Sequence, residues 1–92
     1  MLHWDAKKPA AVDDYDLDWS RRLATGETIT SSAWLVLGTI SALLASSGTF
    51  LPTRTKTILS AGTDKQTYIL KNTVVTSLGN TLYEYVSIMV RE

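Results

Sequence analysis

Residues 14–19 read Asp14-Tyr15-Asp16-Leu17-Asp18-Trp19, and residues 66–76 read Gln66-Thr67-Tyr68-Ile69-Leu70-Lys71-Asn72-Thr73-Val74-Val75-Thr76. In the first, aspartate alternates strictly with Tyr, Leu and Trp. Successive side chains of a strand point to opposite faces, so this period of two puts the acids on one side and the apolar groups on the other. In the second, Tyr68, Leu70 and Val74 share a face with Asn72 and Thr76. Both stretches predict strands with one buried face, and neither carries a helical period.

The rest of the chain extends this pattern. Residues 28–36 combine β-branched and aromatic side chains and predict another strand. Residues 40–45 are a weak third element, with a short helix as the local competitor. Residues 49–60 form an extended run. Pro52 within it cannot donate to a ladder, so that part is expected at an edge or a strand entry, with Arg54 and Lys56 as charges that discourage unwanted pairing. Ala61-Gly62-Thr63-Asp64 and Ser77-Leu78-Gly79-Asn80 read as turns. Residues 81–90 return with Leu82, Val86, Ile88 and Val90 on one face and Tyr83, Tyr85 and Met89 on the other. Short strands about ten residues apart, separated by turn signals, predict an all-β sandwich of six to seven strands. Trp19, Tyr68, Leu70, Val74, Val86 and Ile88 are its expected core.

Composition bounds what such a domain does. Ninety-two residues make one small domain. Nine basic and nine acidic residues cancel, so no general attraction to nucleic acid or to an anionic membrane is expected. The chain has no cysteine and one histidine, which removes disulfides, thiol catalysis and Cys-ligated metal sites. The apolar stretch 33–45 is thirteen residues long and contains Gly38, Thr39 and Ser41. A bilayer span needs about 20 apolar residues, so two strands parted at Gly38-Thr39 are the better reading. Residues 1–13 lack a period and a signal-peptide core, and are expected to form a mobile N-terminal arm ahead of a domain over residues 14–92.

No motif for catalysis or cofactor binding is present. Counted from Asp14, the sixth and twelfth positions of a calcium loop hold Trp19 and Thr25 in place of Gly and Glu. No metal site is therefore expected. No nucleophile elbow or phosphate-binding glycine loop occurs. Arg21-Arg22 and Lys7-Lys8 are doublets, not a basic patch, and are read as solvated charges near the aspartates. An enzyme is not expected, and neither is a cofactor.

The ordered signals resemble one family, the fiber-tail adaptor proteins of phages and prophages. Its D-Y-x-L/F-D-W-S segment is matched by residues 14–20, and its I-x-S-S-x-W run by Ile29 to Trp34. Its W-L-S-G-G-T-x-G-x-x-Y-x-L-x-N-x-V-x-T-x-x-G-R-T signature is matched by residues 58–81, with Ile58, Ala61, Lys65 and Asn80 departing from it. The family's apolar ending and V-x-E correspond to Val86, Ile88 and Val90-Arg91-Glu92. The resemblance covers about three-quarters of the chain. It implies an immunoglobulin-like sandwich, made in the bacterial host cytoplasm and located in the tail region of the virion. It also implies an adaptor that joins a tail fiber or other tail component to the portal or connector by protein–protein docking.

A head-completion or capsid-surface protein is the alternative within that class, and a carbohydrate-binding module the alternative outside it. Many copies around a symmetric tail are expected. Trp4, Tyr83, Tyr85 and Met89 are the expected partner-binding residues. Trp4 is placed in the arm as an anchor for a neighbour's pocket, so that removing the arm is expected to leave the melting temperature unchanged. The aromatic rings also suit sugar stacking.

Overall fold

A computed structural model describes residues 2–37, 43–46 and 49–92. Its elements are β1 (Leu2–His3), β2 (Asp13–Asp18), β3 (Ile29–Leu37), β4 (Leu43–Ala45), β5 (Thr49–Leu51), β6 (Arg54–Ala61), β7 (Gln66–Thr76) and β8 (Thr81–Val90). They form two four-stranded sheets. Sheet I has the order β1-β8-β7-β3; sheet II has the order β2-β6-β4, with β5 also on β6. The chain is all-β among the described residues, as expected, with one or two strands beyond the expected count because β1 and β5 are short additions.

The alternations in the sequence become the two inner faces. Leu17 and Trp19 at β2, Leu59 on β6, Tyr68, Leu70 and Val74 on β7, and Val86, Ile88 and Val90 on β8 are buried together. All six expected core residues lie in this cluster. Asn72 sits in it without exposure. Its Oδ1 accepts from Trp19 Nε1 at 3.1 Å and Thr55 Oγ1 at 2.7 Å, and its Nδ2 donates to Ser32 Oγ and Ala33 O, each at 3.0 Å. Every donor and acceptor position of the amide is used, and the four partners belong to both sheets.

Turns follow from backbone chemistry. β7 and β8 pair from Gln66↔Val90 to Val75↔Thr81, and Gly79 supplies the positive φ of 81° their connection needs. At the corner from sheet II to sheet I, Gly62 has φ +104°, and a Cβ there would lie 2.9 Å from Val90 Cγ2. No other residue fits that position.

Three expectations need correction. The run 49–60 is not one strand: Pro52 and Thr53 form the turn of a hairpin in which Leu51 faces Arg54. β6 is not an edge but the centre of sheet II, so Arg54 and Lys56 do not guard an edge. They sit opposite Asp18 and Asp16 of β2. The third correction is the arm. Leu2 and His3 pair in parallel with Val86 and Ser87 of β8, and Lys7 bridges to Val90, because the open edge of β8 offers backbone partners and the gap between the sheets accepts Trp4. The break expected at Gly38-Thr39 lies outside the described residues. Of the weak element 40–45, the described part Leu43–Ala45 is a strand. No helix among the described residues is long and apolar enough to cross a membrane.

Candidate docking surface

The outer faces of the two sheets differ in chemistry. On sheet II, Asp14, Asp16 and Asp18 of β2 meet Lys56 and Arg54 of β6. Lys56 Nζ lies 3.2 Å from Asp14, and Arg54 lies 3.1 Å from Asp16 and 3.7 Å from Asp18. The Lys56 ammonium holds the Asp14 carboxyl below its ordinary pKa. The Ser20 amide and hydroxyl do the same for Asp18, with Arg54 adding a smaller pull. The aspartates thus pair with sheet II's own cations. Arg22, expected among the solvated charges, instead reaches Glu84 at 2.8 Å and lies 5.5 Å from the Trp19 ring centre.

Sheet I presents the opposite chemistry. Register places Tyr85 beside Lys71 and Leu35, Tyr83 beside Thr73 and Ala33, Met89 beside Thr67, and Ser87 beside Ile69. Lys71 is the one charged group among these, and its ammonium lies 4.7 Å from the centre of the Tyr83 ring. Tyr83 is 52% exposed and Met89 42%, with Leu35 at 58% and Val75 at 37%. Tyr83 and Tyr85 meet edge to face, centroids 5.7 Å apart at 78°.

Three of the four expected binding residues therefore share one face. Trp4 does not. Its ring stacks on Tyr15 at 4.9 Å, lies 5.6 Å from Trp34, and donates from Nε1 to Asp16 O at 3.2 Å. It closes the gap between the sheets within its own domain. Leu35, Ile69, Lys71 and Val75 were not singled out from the sequence. The alternation of β3 and β7 assigns them to the outer side, but only the strand order reveals that their neighbours are Tyr83 and Tyr85.

Lys7 is buried. Its Nζ donates to Ala61 O at 2.6 Å, Lys8 O at 2.8 Å and Pro9 O at 3.3 Å. Burial lowers the pKa of this ammonium, partly offset by the charge of Asp13.

A small two-sheet domain with a charge-paired ladder on one outer face and a charge-poor aromatic cluster on the other is a sandwich of the immunoglobulin-like class. Among solved structures it is similar to one described as "Solution structure of the PKD domain from KIAA 1837 protein", with TM-score 0.66 and 18% identity, covering 100% of this chain and 82% of that one. That likeness shows the fold. No curated protein matches. A family model described as "Podophage GP4 fiber-tail adaptor protein gp77" matches residues 7–89. The chain belongs to that fiber-tail adaptor family, whose role is structural, in the phage tail.

Proposed function

We propose that this protein joins a tail fiber or another tail component to the portal or connector, and that the outer face of sheet I makes the contact. Docking, not catalysis, is its function, and the virion tail is where it acts. The contrast between the two faces carries this reading. An interface core is depleted in charge and enriched in Tyr and Met, and buried tyrosines often dominate the binding energy. Tyr83, Tyr85 and Met89 meet that description, whereas sheet II carries an Asp–Arg–Lys ladder beside its exposed Leu44, Leu51 and Ile58. The edge-to-face tyrosine pair offers no flat two-ring platform, which favours a protein partner over a sugar.

The test places a charge on each face in turn. Tyr83→Glu is expected to fold with an unchanged far-ultraviolet spectrum and to be lost from assembled particles. Ile58→Glu, on the outer face of sheet II, is expected to be incorporated normally. Equal incorporation of the two variants would remove the assignment of the face.

A further inference from the structure

The N-terminal segment that closes this domain is a separable piece. Its partners are all distant in sequence: Val86 and Ser87 through β1, Ser87 O from Trp4 N at 2.9 Å, Met89 O from Lys7 N at 2.9 Å, and Ala61 O from the Lys7 ammonium. Trp4 adds the contacts with Tyr15 and Trp34. Between this segment and β2 lie only residues 8–12, where Lys8, Ala10 and Val12 are exposed. One backbone bond, Ala11 N to Lys8 O at 3.1 Å, closes the turn around Pro9. Beside the segment an open cleft separates Leu2, His3 and Trp4 from Asp18 and Arg21. The seam is unsealed on that side.

We propose that residues 2–8 exchange between copies, so that β1, Trp4 and Lys7 of one molecule occupy the β8 edge and inter-sheet gap of the next. The occupant is a second copy of this chain, because the gap already accepts this segment and its contacts with β8, Ala61, Tyr15 and Trp34 re-form with the same groups of a neighbour, leaving only the hinge bonds to Lys8 O and Pro9 O to change. Exchange of an identical element is a low-cost route to association for that reason. Opening needs the Lys8–Ala11 turn to straighten, and the fixed φ of Pro9, at the second position of that turn, suits an extended chain as well as the turn. Residues 2–12 extended reach about 36–40 Å, while the domain measures 22 and 19 Å across its short axes, so a side-by-side neighbour is within range. The donated segment and the accepting edge are different surfaces, so exchange closes as a reciprocal pair or continues from copy to copy. This inference rests on the segment's geometry alone and stands apart from the sheet I docking face.

The absence of cysteine makes the test direct. His3 Nδ1 and Ser87 Oγ are hydrogen-bonded across the β1–β8 seam, adjacent strand positions whose spacing suits a disulfide. The double variant His3→Cys/Ser87→Cys should form an intrachain link when dilute and linked dimers and higher species when oxidised after concentration. Separate His3→Cys and Ser87→Cys proteins, mixed and oxidised, should yield a disulfide heterodimer whose share rises with concentration. His3→Cys mixed with Leu78→Cys, at the far hairpin, should yield only background. If the double variant closes on itself at every concentration and the mixed single variants stay at background, the segment never leaves its own domain and the proposal is overturned. Neither result changes what Tyr83→Glu reports about the docking face.

Discussion

At the scale of single residues, Asn72 joins the two sheets through the core. It is a polar group without exposure, and its four hydrogen bonds tie β7 to Trp19, Thr55, Ser32 and Ala33. A buried polar group left without its partner costs about 1–3 kcal/mol. Asn72→Ala removes a donor to the Ala33 carbonyl and the acceptor of the Thr55 hydroxyl proton, while Thr55 Oγ1 keeps its bond from Trp19 Nε1, so an unfolding free energy lower by about 1–3 kcal/mol is expected in denaturant titration. A loss under about 0.5 kcal/mol, the range of ordinary surface substitutions, would contradict the network's role. The sequence placed Asn72 on the inner face beside Leu70 and Val74. It could not show the partners, because those come from strands 17 to 53 residues away. Trp4 is the converse case. A large ring in an aperiodic segment pointed to a surface it must cover, and the surface is the protein's own Tyr15.

At the scale of elements, the connection from β2 to β3 is fastened to the β7–β8 hairpin through Glu27. Its carboxylate accepts from Thr76 Oγ1, from Ala24 N at 2.9 Å and from Asn80 Nδ2 at 3.0 Å. These bonds, Thr76 first, hold its pKa below the ordinary value. A carboxylate whose pKa is lower in the folded state stabilises the fold above its unfolded pKa, and that contribution is lost as pH falls through the folded value. The melting temperature is therefore expected to fall below about pH 4, and more steeply for the native protein than for Glu27→Gln. Glu27→Gln should also melt lower at pH 7, because an amide cannot accept at both oxygens. Parallel acid-limb slopes in thermal melts would show that Glu27 contributes nothing to the pH dependence. β2, β7 and β8 were legible in the sequence because strict alternation is local information. The hairpin at Pro52 was not, since a proline at a turn and a proline at an edge leave the same mark on composition. The pairing of Arg54 and Lys56 with the aspartates was hidden for another reason: cross-strand partners are set by sheet order, which alternation does not encode.

At the scale of the whole molecule, the N-terminal segment belongs to the fold that the isolated domain adopts. It covers the edge of β8 and half-buries Trp4. Burial of a large apolar side chain stabilises by about 1.5–3 kcal/mol. A chain starting at Pro9 is therefore expected to melt about 6–24 °C lower than the full one, in place of the unchanged melting temperature that a free arm predicts. An unaltered melting temperature in differential scanning calorimetry would restore the free arm. Fold class was legible in the alternation of β2, β7 and β8, and so was the aromatic side of β8. The docking face as a surface was not, because it is assembled from three strands whose order only the structure reveals.

The parallel pairing of β1 with β8 has a mechanical meaning. Residues 2–7 run beside residues 86–90 in the same direction, so tension applied at Leu2 and at Glu92 drags the two strands past each other along their length. The bonds crossing that seam are then strained together rather than peeled one after another, and no single bond can yield without its neighbours. A link between particle parts that is loaded through Leu2 and Glu92 would therefore carry that load in shear across the β1–β8 bonds.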